Sequence, residues 1–566
     1  MSTADWIVLF CTLLFIVAYG VYKSRGIRNI DGYLLGNRSL PWYHVALSVM
    51  ATQASAITFL SAPGLAYSSG MSFVQFYFGL PLAMIVLSIT FVPMFHRMRV
   101  FTAYEFLEKR FDVRTRAFTA LLFLIQRGLS TGITIYAPAI ILSSILQINV
   151  VYTTLVIGTL VVLYTVYGGT KAVSYTQLLQ MTIIFGALVS AGILVVYMLP
   201  QDIGFVKALH IAGKSGKANA IDLSFDWNNQ YTVWSGIIGG FFLQLSYFGT
   251  DQSQVGRYLT GSSVRDSRIG LLMNGLLKVP MQFSILLIGI LVFAFYQYNS
   301  PPIFFNKYEL AKIEQSEYAP QVEKLKAEHK QVFDEKQEQI HRLTTALDNN
   351  DESTIADVRL QLQRADERTK EIRTSLVSLM QKNDDLADTN DNNYIFLAFV
   401  TENFPKGLIG LLVAIVFIAS MGSTASAINS LASTTVIDIY KRFVSKEGTE
   451  QSYLSASRVF TFIWGIFCVV IALYASKLGN LLEAVNILGS LFYGTILGIF
   501  VVAFYVKRAG GRAVLIAAIL TEAVVILLWW FDVMAFLWLN LVGCAGVVLF
   551  SLLFQGHRDS STEQVA

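Results

Sequence analysis

The sequence predicts an all-α polytopic membrane protein. About thirteen transmembrane helices form inverted five-helix repeats with broken first helices, and a helical hairpin is inserted on the extracytoplasmic side. Three observations predict this. Of the 566 residues, 54% are hydrophobic and only 14% are charged, whereas soluble domains carry about 25% charged residues. About thirteen apolar runs approach the roughly 20 residues that a helix needs to cross the hydrocarbon. Polar clusters interrupt the second and seventh runs, five spans apart, as where transporters unwind helices to line a cavity.

In order, the runs lie near 6–22, 41–66, 73–95, 117–146, 150–168, 171–199, 233–256, 270–297, 404–436, 455–476, 480–506, 511–530 and 533–555. The first is expected to be retained rather than cleaved. Asp5 precedes its apolar stretch and no small-residue cleavage site follows. Every second loop is basic: Lys23, Arg25, Arg28 and Arg38; then Arg97 and Arg99 with Lys109, Arg110, Arg114 and Arg116; then Lys171; then Arg257, Arg265 and Arg268; then Lys441 and Arg442; then Lys507, Arg508 and Arg512. The positive-inside rule puts these loops in the cytoplasm, the N-terminus outside and the C-terminus inside, as an odd number of spans requires. The expected location is the cell (inner or plasma) membrane.

Residues 304–392 break the pattern, with about thirty charged residues in a soluble composition. Ile355, Val358, Leu362, Ala365, Thr369, Ile372, Leu376 and Leu379 repeat at 3-4 spacing, and Val322, Leu325, Ile340, Leu343 and Leu347 do so less regularly. Residues 348–352, DNNDE, are a turn signal between them. The reading is an antiparallel coiled-coil hairpin. The organisation is then an extra N-terminal helix (1–32), the first repeat and the start of the second (33–303), the hairpin (304–392), the rest of the second repeat (393–510), and peripheral helices with a cytoplasmic tail (511–566).

Several functions are disfavoured. No GxxxxGK[ST] phosphate loop is present to couple ATP, and no TVGYG-like filter for potassium. Cys11, Cys468 and Cys544 lie inside apolar runs, which leaves no disulfide framework or CxxC site, and six scattered histidines offer no zinc cluster. The protein reads as a non-enzyme without catalytic residues. Its expected partners are a small solute, a coupling cation and the bilayer, not nucleic acid.

Secondary transport remains, and the polar clusters favour it. Thr52, Gln53, Ser55, Thr58 and Ser61 occupy mid-membrane in the second run. Residues 244–252, QLSYFGTDQ, do so in the seventh. After the apolar stretch 407–419 comes SMGSTASAINS, Ser420 to Ser430. Each buried hydroxyl there needs a partner.

The motifs YLLGNRSLP (33–41), ALS..AT..SA (46–56), AYEFLEKRF (103–111), YGGTKAV (167–173) and ASAINSLAS (425–433) resemble the sodium/solute symporter family, with its leucine-transporter fold. The likeness is greatest to its monocarboxylate, multivitamin and iodide branch, and covers nearly the whole chain except 304–392. It implies sodium as the coupling ion, held by the backbone carbonyls of Ala51, Ala54 and Ala419 and the Ser423 hydroxyl. Hard-cation chemistry suits such oxygen ligands. It also implies a substrate cavity contacted by Gln53, Thr58, Tyr77, Gln244, Tyr247 and Lys278, with Tyr247 as inner gate. Tyr77 and Leu80 stand where sugar-transporting relatives place a carboxylate and a hydroxyl, so a carboxylate or similar polar solute is favoured over a sugar. Lys278 also stands out by position: ten residues from Arg268, it lies roughly 15 Å deeper in the membrane.

Two positions depart from the family pattern. Gly422-Ser423 replaces a hydroxyl pair, and Thr176-Gln177 replaces a Thr-Asp pair that serves a second sodium in some members. Proton coupling therefore stays open, as does a membrane sensor on the same scaffold.

Overall fold

The computed structural model describes residues 1–24, 38–200, 203–349, 351–385 and 387–554. Arg25, Arg28, the boundary at 32/33, the start of the YLLGNRSLP motif, the Lys171 side chain and the tail beyond 554 lie outside what is described. Among the described residues the regular elements are helices. α1 (Thr3–Ser24) precedes the bent pair α2 (Trp42–Gln53) and α3 (Ala56–Ser69). A 3-10 turn, Met71–Tyr77, opens the next span. α4 (Val113–Leu146) starts where the Asp112 carboxylate accepts the Thr115 amide at 2.7 Å, the usual satisfaction of an orphan helix donor. α5 (Val150–Tyr197) and the short α6 (Phe205–Lys214) follow.

The seventh predicted run becomes a π-helical turn (Ser235–Gly239), then α7 (Gly240–Thr250) and α8 (Gln252–Tyr258), broken at Asp251. α9 (Val264–Tyr298) packs along both α2 and α3. Beyond it the hairpin consists of α10 (Ala319–Asp348) and α11 (Glu352–Asn383), which pack on each other. α12 (Ile395–Asn403), α13 (Leu408–Thr434) and α14 (Leu481–Tyr505) complete the parts that shape the site. α13 packs against α4 and α5, and α1 lies across α13.

Among the described residues, nine helices are long and apolar enough to cross a membrane, or ten if α2 and α3, bent by 59°, form one span. Thirteen were expected over the whole chain. The runs 150–168 and 171–199 form the single helical element α5. The 233–256 run is divided by its break.

Of the heptad positions, Val322, Ile340 and Leu343 of α10, and Ile355, Val358, Leu362, Ile372, Leu376 and Leu379 of α11, are buried, while Leu325, Leu347, Ala365 and Thr369 are half-buried. It does not stand free. Ile340, Leu343, Ile355, Val358 and Leu362 join the main core, whereas Val322, Val332, Ile372 and Leu376 form a smaller core of their own. The distal half of the hairpin therefore lies down on the helical body, beside α6 and α9.

Candidate functional site

The site begins with two interruptions of the backbone. At the first, Ala54 (φ −83°, ψ 76°) and Ser55 (φ −83°, ψ 177°) leave the helical region. The Ser55 amide donates to the Gln53 carbonyl and the Thr58 amide to the Ser55 carbonyl, both at 3.0 Å. In an unbroken helix those amides would serve Ala51 and Ala54, four residues back. The break thus removes the helical donors from two of the carbonyls assigned to sodium. At the second, extended Asp251 caps α8: its carboxylate accepts the Ser253 amide at 2.7 Å and the Ser253 hydroxyl at 2.6 Å. The Tyr493 hydroxyl of α14 donates to the same carboxylate at 2.7 Å and so fixes the break to a neighbouring helix.

Between the breaks lies a cavity of about 90 Å³. Gln53, Thr58, Tyr77, Gln244, Tyr247 and Ser423 all line it. Gln53 and Gln244 also meet across it, Nε2 to Oε1 at 3.5 Å, which links the two broken helices. Ala51, Ala54 and Ala419 are buried and their side chains do not line it; what they could offer is backbone oxygen. Ser423 donates to the Ser420 carbonyl at 3.1 Å, which leaves its oxygen lone pairs able to accept a cation. Lys278 is not among the lining residues. It is fully buried, its ammonium has no hydrogen-bond partner among the described residues, and it sits 6.0 Å from the centre of the Tyr77 ring.

The residue that sequence reasoning missed is Arg127, on α4. It lines the cavity, is 8% exposed, and stands 5.9 Å from the centre of the Tyr247 ring. Among the described residues its ion pair is a loose one, 3.7 Å to Asp251, whose carboxylate already accepts from Tyr493 and Ser253. The signal was present: Gln126-Arg127 interrupts an apolar run at mid-span, and intramembrane cations usually face a cavity. Five buried polar atoms of the lining residues have no hydrogen-bond partner among the described residues: Arg127 Nε, Gln126 Oε1, Gln53 Oε1, Thr424 Oγ1 and Asn486 Nδ2. Folded proteins rarely leave such groups unmet without a ligand or water to take them.

The two departures from the family pattern have a structural counterpart. A Cβ at Gly422 would lie 2.8 Å from Gln180 Oε1, so the Gln180 amide occupies the place of the missing side chain. Gln177 accepts the Ser48 hydroxyl at 2.6 Å and donates to Thr52 at 3.2 Å, which ties α5 to α2 one turn from the break. Among the described residues no group of three or more His, Cys, Asp or Glu could hold a metal ion.

The chain matches the Sodium:solute symporter family over residues 33–318 and 381–521; the hairpin helices fall almost wholly between the two stretches. A sodium/sialic acid symporter of Aliivibrio fischeri is 26% identical over 561 residues, 98% of this chain and 93% of that protein. The sodium-coupled monocarboxylate transporter 1 of Mus musculus is 26% identical over 509 residues, 89% of this chain and 69% of that one. A solved structure of a Na+-coupled sialic acid symporter, substrate-bound and outward-open, shares the fold with a TM-score of 0.75 over 98% of this chain and 97% of that chain, at 21% identity.

Proposed function

This chain belongs to the sodium:solute symporter family, a family of transporters and not of enzymes, and from that premise we propose that the solute it carries with sodium is a small organic carboxylate. One observation carries the reading: a buried guanidinium, Arg127, in the wall of the cavity between the two helix breaks, paired at 3.7 Å with an Asp251 carboxylate that already accepts from Tyr493 and Ser253. A guanidinium presents its N–H donors as a planar fork that matches a carboxylate. The relatives' cargoes, sialic acid and monocarboxylates, have the carboxylate in common.

The remaining residues take roles around that anchor. Sodium is held at the first break by the carbonyls of Ala51, Ala54 and Ala419 and the hydroxyl of Ser423, with Thr424 Oγ1 in place of the hydroxyl absent at Gly422. Thr52 and Gln53 lie between the two freed carbonyls in sequence and face the cavity. A cation seated on Ala51 and Ala54 therefore fixes the side chains that meet the solute. That is how the geometry would make the two cargoes bind together, each raising the other's affinity by the same factor. Gln53, Thr58 and Gln244 contact the polar part of the solute, Tyr77 and Tyr247 its faces, and Lys278 acts through Tyr77. The basic loops face the cytoplasm of the cell membrane, and the N-terminus lies outside.

Arg127→Met tests this in proteoliposomes with an inward sodium gradient and labelled pyruvate or sialic acid as solute. Uptake of the solute that the wild type carries should fall at least a hundredfold at subsaturating concentration. Arg127→Lys, which keeps the charge without the fork, should recover only part. Wild-type kinetics in Arg127→Met would remove the carboxylate assignment and leave sodium-coupled symport standing.

A further inference from the structure

We propose that the hairpin and the outer end of the first broken helix form a second binding site, for an organic carboxylate with an aromatic or other apolar body. The cavity between them measures about 670 Å³, against about 90 Å³ for the central one. Tyr67 and Ser68 of α3 with Phe293 and Tyr296 of α9 make one wall, and Phe333 and Lys336 of α10 stand in the other. Nearly all of the second wall lies in residues 319–380, outside the stretches matched by the family, so the site belongs to this chain's insert.

The chemistry of the walls points to an anion with a flat apolar part. Two ammonium groups approach one ring: Lys217 and Lys336 each lie 5.8 Å from the centre of Phe293. Lys336 is paired with Asp366 at 2.6 Å, and Arg373 is paired with Asp391 at 2.6 and 2.7 Å. Lys217 donates to the Ser68 carbonyl and has no carboxylate at bonding distance among the described residues. Burial holds the Lys217 ammonium below its ordinary range, with Lys336 adding to the effect and Asp366 opposing it. His329, also in the lining, is pushed down to about 4 by burial and then by Arg373 and Lys336, so it is neutral at physiological pH. Excess positive charge is thus gathered on an aromatic floor. Tyr67 packs edge-on to Phe293 at 5.7 Å and to Tyr296 at 6.0 Å. Tyr296 Oη and Gln297 Oε1, on residues of the lining 4% and 3% exposed, have no partner among the described residues. A carboxylate between the two lysines, with its body on the Phe293–Tyr67–Tyr296 surface, would answer the positive charge, and Tyr296 Oη is a donor that a carboxylate oxygen could accept from.

Equilibrium binding of labelled benzoate to the purified full-length Arg127→Met protein tests this, because that background removes the central carboxylate anchor. One saturable site should remain. Unlabelled benzoate should compete for it, and neutral benzamide should not. Lys217→Met and Lys336→Met should each weaken it at least tenfold, Lys336→Arg should retain it, and Lys382→Met, on the exposed hairpin surface, should leave it unchanged. Absence of saturable binding in Arg127→Met, equal competition by benzamide, or binding unaffected by either methionine variant would overturn the proposal. Lys336→Arg separates lost charge from lost folding. A failure at this outer site leaves the Arg127 uptake result untouched, and the converse also holds.

Discussion

Ser423 sits in a helix whose hydroxyls mostly bond back to carbonyls one turn earlier; Ser430 and Ser433 do so at 2.9 and 3.0 Å. Such back-bonding alone makes a serine dispensable. Ser423 differs in facing the cavity, beside Thr424, whose oxygen is buried without a partner among the described residues. Ser423→Ala should therefore shift half-maximal sodium activation of uptake upward about tenfold, equivalent to about 1.4 kcal/mol, and Thr424→Ala should do the same. The sequence alone suggests that Gly422→Ser would be neutral or favourable, because it restores the family's hydroxyl pair. The position of Gln180 reverses that expectation: the new Cβ would lie 2.8 Å from its amide oxygen, so the variant must displace Gln180. Sodium titration of uptake checks all three. An unchanged sodium requirement in both alanine variants would return these hydroxyls to packing roles. At this scale the lines of the site were legible because a polar cluster in an apolar run has few explanations. Arg127 was legible by the same rule that singled out Lys278. Which of the two cations reaches the cavity depends on helix rotation, and composition does not encode that.

Elements are held to one another here by buried carboxylates at helix ends. Asp5, near the start of α1, accepts the Gly407 amide at 2.6 Å and the Gly410 amide at 3.2 Å, and thus caps α13 from another helix. Asp388, between the hairpin and α12, accepts the Tyr136 hydroxyl of α4 at 3.1 Å and the Tyr394 hydroxyl at 2.8 Å. Burial pushes the Asp388 carboxyl up to about 7, against the two tyrosine hydroxyls, which hold it down. An unfolded aspartate titrates near 3.9. With the folded value the higher of the two, the folded state binds the proton more tightly. The contribution to stability is then complete below about pH 4 and is lost as pH rises through 7. The melting temperature in detergent should accordingly fall between pH 5.5 and 8, and Asp388→Asn should flatten that slope. A slope that survives the substitution would assign it to another group, and Glu309, also raised by burial, is the neighbour to examine next. None of these ties could be read from the sequence, since each joins residues far apart in the chain. The hairpin and the two breaks could be read, because heptads and polar interruptions are local patterns. Span number was less legible, since two predicted runs fold as the one helical element α5 and the break at Asp251 divides another.

The whole molecule joins a transporter body to an insert that the family match skips, and their junction decides how separable they are. The heptads suggest an autonomous hairpin, removable over 310–388. The structure narrows that cut. Asp388 belongs to the body, Lys312 is paired with Asp384 at the base of the insert, and the distal half of the hairpin is part of the main core. Replacing 316–382 with a short Gly/Ser linker keeps both the Lys312–Asp384 pair, which holds the cut ends together, and the Asp388 contacts. Closing a loop between adjacent ends costs little entropy. Of the polar ties that are lost, Lys207–Asp348 is a surface ion pair, of a kind that contributes roughly 0–1 kcal/mol, whereas loss of Arg373 leaves the buried Asp391 carboxylate without its guanidinium partner and adds to the cost. The apolar contacts of Ile340, Leu343, Ile355 and Val358 are lost as well, so the shortened protein should melt several degrees lower. Its sodium-driven uptake at saturating solute should persist, because both helix breaks and every residue of the central cavity remain. Benzoate binding in the Arg127→Met background should vanish with the insert. Normal expression and melting with uptake abolished would show instead that the hairpin takes part in the transport cycle, acting through Tyr67 and Ser68 at the end of the broken helix that faces it.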